Sequence, residues 1–449
     1  MYRFFALIAL VLSTLAAPLP VHARPVHARD AGPPVTILVS IDGFRADYLD
    51  RGVTPNLSAL AARGISAAMR PSFPSKTFPN HWAIATGKVP DRNGIVANRF
   101  EDPRRPGEVF TMASADPFWW GEAEPIWVAA ERAGIRTAAM FWPGSGVAWG
   151  GSYSDKPFPQ SDGGTRPQDW QHFDGEVSAA QRVETVLDWM RRPEAIRPRF
   201  VTLYFDTVDT AGHRHGPDDA RTTAAIAQVD RSIGALVSGL KALGRKANLV
   251  IVADHGMAAI SGDRVVALDA IADPSLYRAV EMGPFASLYP TEGNAQALAR
   301  ALEGQHDHMR CWPREQIPAR LKYGANPRVA PWFCLADVGW MIMAARPEKP
   351  VTGGTHGYDN AAPEMAALFV AAGPSIAPEG RLGGFDNVDV TALLRDLLDM
   401  SADPQADGDD APFRKALGKR GYSNTAESTA ATSVGASESS ATSRSGLSE

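Results

Sequence analysis

Along this chain, short runs rich in β-branched and aromatic side chains alternate with longer stretches in which apolar residues return every three or four positions. The short runs predict strands at Val35 to Ile41, Thr137 to Phe141, Phe200 to Phe205, Asn248 to Ala253 and Met365 to Ala371. The longer ones predict helices with readable ends. Thr54-Pro55 offers an N-cap and a proline at the first helical position; Leu57, Leu60 and Ala61 supply a stripe, and Gly64 stops it. Ser178 caps a second helix that carries Val183, Val186, Leu187 and Met190 on one side. A third places Ile226, Val229, Ile233, Leu236, Val237 and Leu240 at helical spacing and ends at Gly244. Strands alternating with helices in this way predict an α/β fold, a mostly parallel sheet with helices on both faces.

The two ends of the chain show other patterns. Arg3, the apolar run Phe4 to Ala17 and the small-residue sites Val21-His22-Ala23 and Val26-His27-Ala28 have the layout of a cleavable secretory signal, assigned to residues 1–23. An uncleaved anchor is the competing reading, disfavoured by Pro18 and Pro20. A signal of this kind implies a periplasmic or secreted protein without a stable membrane span after cleavage. Gly421 to Glu449 is almost all Ser, Thr, Ala, Gly and Glu, too poor in large apolar groups to offset its ordering entropy, and reads as a disordered tail at 421–449.

Residues 34–420 are long enough for one large domain with a small inserted subdomain. The pattern changes between about 259 and 349, reading strand (Pro284 to Tyr289), helix (Ala295 to Leu302) and short β-like pieces ending in Gly339 to Met343. Both cysteines, Cys311 and Cys334, fall there; a bridge and two buried thiols are both open readings. The net charge of −5 and the lack of a basic block argue against a surface for nucleic-acid polymers.

The acidic residues carry the most information. Asp42 directly follows Val-Thr-Ile-Leu-Val-Ser-Ile, Asp206 and Asp209 follow Val-Thr-Leu-Tyr-Phe, and Asp254 follows Leu-Val-Ile-Val-Ala. In an open α/β sheet these would meet at the carboxyl edge, where ligands bind. A lone Asp after a strand is commonly a turn former, but two of these three bring histidine: Asp254-His255-Gly256 and Asp209 with His213. A third histidine, His356, lies in the glycine-rich loop Gly353 to Tyr358. Mixed Asp/His sets suit zinc, with manganese or other divalent first-row ions as alternatives. A hydroxyl that could attack phosphorus stands at Thr77, in Pro74-Ser75-Lys76-Thr77-Phe78-Pro79-Asn80-His81, where Pro79 can begin a helix running to about Thr86. A helix N-terminus there would face an anion with free N–H groups; an N-capping threonine is the other reading.

Taken together, Ile41-Asp42-Gly43-Phe44-Arg45, Lys76 to His81, Asn93-Gly94-Ile95-Val96-Ala97-Asn98, Tyr204 to Asp209 with Gly212-His213, Asp254-His255-Gly256-Met257 and Gly354 to Asn360 resemble the nucleotide pyrophosphatase/phosphodiesterase family of the alkaline phosphatase superfamily, in a compact bacterial form. The resemblance implies an alkaline-phosphatase-like fold and a two-zinc site. On it, Asp42, Asp254, His255 and the Thr77 oxygen would hold one ion, and Asp209, His213 and His356 the other. Thr77 would be the nucleophile and Asn98 a phosphate-oxygen donor. Phe78 would stack on a base, with Phe173 opposite it and Tyr204 also on the substrate side. The implied activity is hydrolysis of small nucleotide or other phosphodiesters through a phosphothreonine-type intermediate, releasing 5′-monophosphates. A phosphonoacetate hydrolase or phosphomonoesterase of the same superfamily, or a silent nucleotide-binding metalloprotein, are the rival readings.

Overall fold

The computed structural model describes residues 32–418. The signal read at 1–23 and the tail read at 421–449 lie outside the described residues. Eight strands form the main sheet: β1 (Val35–Ile41), β2 (Ile65–Met69), β3 (Thr137–Met140), β4 (Asp169–Gln171), β5 (Phe200–Phe205), β6 (Ala247–Val252), β7 (Ala367–Ala372) and β8 (Gly380–Arg381). Their order is β8-β2-β7-β6-β1-β5-β3-β4. The run β6-β1-β5-β3-β4 is parallel throughout, whereas β7 runs against both of its neighbours. Every residue of β1, β5 and β7 is buried. Unbroken burial, in place of alternation, means that both faces of the sheet are covered, as parallel sheets require. β7 begins two residues later than the apolar run suggests because Pro363–Met365 first makes a 3-10 turn.

Five helices bear on the site or frame it: α1 (Pro55–Ala62), α2 (Thr77–Thr86), α3 (Ala179–Arg191), α4 (Thr207–His215) and α5 (Ala220–Ala242). In α3 the Ser178 hydroxyl accepts from Gln181 N and the Gln181 side chain accepts from Ser178 N, a reciprocal capping box. In α5, Ile226, Val229, Ile233, Leu236 and Leu240 are buried, as their spacing predicts. The ends of α1 are built differently from the expectation. Thr54 is the N-cap residue but its hydroxyl donates to Leu49 O at 3.3 Å. The helix is capped from outside, by the Asp230 carboxylate of α5, which accepts from Leu57 N at 2.8 Å and Asn56 N at 3.2 Å. Gly64 is not a left-handed stop; it is needed because a Cβ there would lie 2.1 Å from Ala371 O on β7.

A smaller antiparallel sheet stands beside the main one, in the order Tyr277–Glu281, Phe285–Pro290, Trp332–Ala336, Met309–Pro313, Gln305–His306. The helix Ala295–Leu302 packs on it through Leu298 and Leu302, and the two enclose a separate apolar core with Leu288, Met309, Trp332 and Cys334. Cys311 and Cys334 face each other across adjacent strands and are joined in a disulfide. No helix among the described residues is long and apolar enough to cross a membrane.

Candidate active site

β6, β1 and β5 are neighbours and point the same way, so the segments leaving their carboxyl ends all emerge at one edge. Asp42 comes directly after β1, Asp254 just beyond β6, and Asp209 sits in the first turn of α4 past the end of β5. Gly43 makes this approach possible: its φ is +68°, and a Cβ would come within 2.9 Å of Asp209 Cα. Its N–H donates to Asp254 Oδ1 at 3.1 Å. His213 lies one turn beyond Asp209 on the same side of α4, the two 3.4 Å apart.

His356 reaches the same place by another route. Because β7 is reversed, its start lies at the edge where the parallel strands end, and the chain just before it pairs with the chain just after Asp254. Ala258–Ile260 forms a ladder with Gly353–Thr355, and Gly256 N donates to Met365 O. The His255 and His356 rings consequently stack at 3.5 Å.

Six side chains thus surround one small volume. His255 Nε2 lies 2.8 Å from Asp254 Oδ2 and 3.5 Å from Asp42 Oδ1. His356 Nε2 lies 3.2 Å from His213 Nε2 and 3.7 Å from Asp209 Oδ1. Each histidine gives its other nitrogen to a backbone carbonyl: His213 Nδ1 to Gly354 O, His255 Nδ1 to Gly256 O and His356 Nδ1 to Ser75 O, all within 2.9 Å. A carbonyl can only accept, so Nδ1 carries the proton and every Nε2 lone pair is turned toward the cluster, as in a metal ligand.

The carboxylates give the test of fit for a cation. Asp42 Oδ1, Asp209 Oδ1 and Asp254 Oδ2 are buried and have no hydrogen-bond partner. A buried carboxylate oxygen without a donor costs several kcal/mol of order unless a cation meets it. Burial, and then repulsion by the neighbouring aspartates, pushes Asp42 and Asp254 well above the ordinary carboxylate range. Burial also pushes His255 and His356 down, toward the neutral form that ligates. Three orphaned oxygens and three aligned imidazoles are a donor set suited to zinc-type ions.

Proximity alone also groups His81 with Asp42 and Asp254. Hydrogen bonding removes it from the ligand set. His81 Nδ1 donates to Thr77 O at 2.8 Å and Nε2 accepts from Ser40 Oγ at 2.8 Å, so neither ring nitrogen is free. Burial lowers its pKa to about 3, and it stays a neutral strut between α2 and β1. Proximity further sets His255 with Asp209 and His356; its Nε2 also lies 2.8 Å from Asp254 Oδ2 and 3.3 Å from Thr77 Oγ1. The role of His81 could have been inferred from its i, i+4 spacing from Thr77, which places both on one side of a helix.

Thr77 is the first residue of α2, with Lys76 as N-cap, and its hydroxyl caps nothing. Thr77 Oγ1 lies 3.3 Å from His255 Nε2. The helix begins two residues earlier than Pro79 suggested, and its N-terminus offers an anion less than expected. Phe78 N–H is taken by Asn98 Oδ1 at 3.0 Å and Pro79 has no N–H, so at most the Thr77 N–H remains. The bond to Phe78 leaves the Asn98 amide NH2 as the donor available at this spot.

Among the aromatic residues, Phe78 is half-buried against Phe110 and Trp120. Phe173 is 54% exposed and stands edge-on to Tyr204 and Phe141. Tyr204, expected from the sequence to be a substrate contact, is placed elsewhere: it is buried, and its hydroxyl donates to Asp42 Oδ2 at 2.6 Å, behind the carboxylate. Asp206 also stays out of the cluster, held by Arg182 at 2.7 Å.

Comparisons with known proteins place the chain among relatives of one family. A profile of the family described as Type I phosphodiesterase / nucleotide pyrophosphatase matches residues 36–359. The chain is 36% identical over 376 residues to the bis(5′-adenosyl)-triphosphatase of Xenopus laevis, covering 83% of this chain and 79% of that one. It is 35% identical over 392 residues to an uncharacterized pyrophosphatase/phosphodiesterase of Schizosaccharomyces pombe, covering 82% and 77%. Among solved structures, murine ectonucleotide pyrophosphatase/phosphodiesterase 5 superposes with a TM-score of 0.79 at 32% identity, over 85% of this chain and 100% of that one. An inactive variant of the same murine protein in complex with AMP also scores 0.79, over 86% of this chain.

Proposed function

Since the chain belongs to the type I phosphodiesterase/nucleotide pyrophosphatase family and is a hydrolase, we propose that it cleaves nucleotide phosphodiester or pyrophosphate bonds with Thr77 as nucleophile, releasing nucleoside 5′-monophosphates. The observation that carries this reading is the Thr77 hydroxyl lying 3.3 Å from His255 Nε2, beside three buried carboxylate oxygens that lack donors. Asp42, Asp254 and His255 would hold one divalent ion next to Thr77, and Asp209, His213 and His356 a second. Two such ions, zinc in this reading, supply Lewis-acid charge that acidifies a hydroxyl and offsets the charge gathering on the phosphoryl oxygens.

The chain's own groups do the rest. Thr77 Oγ1 attacks phosphorus in line; its O–P bond forms as the bond to the leaving oxygen breaks, giving a phosphothreonine ester that keeps the nucleoside. Water then cleaves that ester and returns the hydroxyl. The Asn98 amide donates to a non-bridging oxygen, a neutral donor suited to a singly charged diester. Phe78 and Phe173 offer ring faces for a base, and AMP in the complex of the murine relative supports a nucleotide in this role. The Cys311–Cys334 disulfide supports a periplasmic or secreted location. We read residues 34–420 as the catalytic domain, with about 259–349 as its inserted subdomain.

Thr77→Ala tests the proposal. Turnover of the p-nitrophenyl ester of thymidine 5′-monophosphate is expected to vanish while bound metal, measured by elemental analysis, stays near two per chain. Substantial residual turnover would remove Thr77 from its role. A preference for p-nitrophenyl phosphate over the diester would favour a phosphomonoesterase instead.

A further inference from the structure

The donor Asn98 sits in residues 94–99, a segment without helix or strand. Three side chains from the smaller sheet and the chain that leads into it hold that segment at almost alternate positions. Arg328 Nη1 donates to Gly94 O at 2.8 Å, the Tyr323 hydroxyl donates to Val96 O at 3.0 Å, and Arg99 N–H donates to Glu281 Oε2 at 3.2 Å. Arg328 and Tyr323 are buried.

Glu281 differs from the other two. It ends the strand Tyr277–Glu281 just after a bulge that shifts the register between Ala279 and Glu281, a device that re-aims a side chain. Its second oxygen, Oε1, lies 3.6 Å from Lys76 Nζ, and both side chains are largely buried. One carboxylate therefore touches the residue before Thr77 and the residue after Asn98.

Resting on the role of Asn98 as a phosphate-oxygen donor, we propose that Glu281 is a positioning residue that sets the Asn98 amide relative to the Thr77 hydroxyl. The smaller sheet thereby becomes a clamp on the phosphate-contacting segment. An accepting oxygen toward Arg99 N–H is the feature required; the negative charge is not. Misplacing a contact by about 1 Å can cost up to about 100-fold in rate, and an acceptor fixed on the residue next to Asn98 has that leverage.

The experiment measures kcat/KM for the p-nitrophenyl ester of thymidine 5′-monophosphate in E281A, E281Q, N98A and N98A/E281A, with melting temperatures as a check on folding. E281A is expected to fall about 10-fold and E281Q, which keeps an acceptor for Arg99 N–H, to stay within about 3-fold of the parent. In the N98A background, E281A should cost less than about 2-fold more, since both changes act through one group. Should E281A fail to fold, Y323F, which removes only the tie to Val96 O, replaces it and should likewise lose its effect in N98A. Glutamine as damaging as alanine, or a full penalty in the N98A background, would overturn the proposal while leaving Asn98 its role. N98A at parental rate would instead sink the role of Asn98, and the clamp with it.

Discussion

At the scale of single residues, the surroundings of the clustered aspartates and histidines matter as much as those residues themselves. Tyr204 donates to Asp42 Oδ2, so Oδ1 alone is left to meet a cation. Tyr204→Phe should keep the packing and lose that orientation, weakening metal binding roughly 10–100-fold in competition with a chromogenic chelator. Unchanged affinity would show that the bond does not support the ligand. Gly43 is the second sensitive point. Gly43→Ala forces a Cβ into a left-handed backbone and against Asp209; backbone strain alone costs about 1–2 kcal/mol. The expected outcome is a lower melting temperature together with loss of metal. The aspartates and histidines were readable from the chain because each follows a strand or sits among glycines. The hydrogen bonds of Tyr204 and Glu281 were not, since their partners lie 162 and 182 positions away and no local pattern joins them.

At the scale of elements, local rules held where an element stabilises itself and failed where a neighbour does the work. The ends of α3 were legible because Ser178 and Gln181 cap each other three residues apart. Ser178→Ala should cost about 1 kcal/mol, a fall of about 1–2 °C in melting temperature for a chain of this size, with diester turnover unchanged. A larger loss, or a change in turnover, would mean that this end of α3 also shapes the site. The cap of α1 was illegible because Asp230, 174 positions away, supplies it. Helix α2 shows a third case: Pro79 marks a helix start, but the two residues before it join the helix once Lys76 takes the cap position. That shift brings Thr77 into the first turn.

At the scale of the whole molecule, the buried acids couple folding to metal and to pH. Asp42 and Asp254 have folded-state values raised well above the usual range. A carboxyl raised in this way favours the folded state below its unfolded value of about 3.9 and loses that contribution as pH rises toward its folded value. Chelated protein should therefore lose stability as pH rises above about 4, whereas bound cations reverse the cost by pairing with the ionised form. The gap in melting temperature between loaded and chelated protein is expected to widen over that range. A gap independent of pH would mean that these acids do not carry the coupling.

The reversed strand β7 has a consequence for other sequences as well. In a wholly parallel sheet, chemistry-bearing side chains are sought downstream of each hydrophobic run. One strand laid the other way makes the upstream flank equivalent, so that a histidine about ten residues ahead of an apolar run, as His356 stands ahead of Ala367, reaches the same edge as an aspartate just behind one. A search that scans only one flank of every run would find the carboxylates of such a site and miss the residue that completes it.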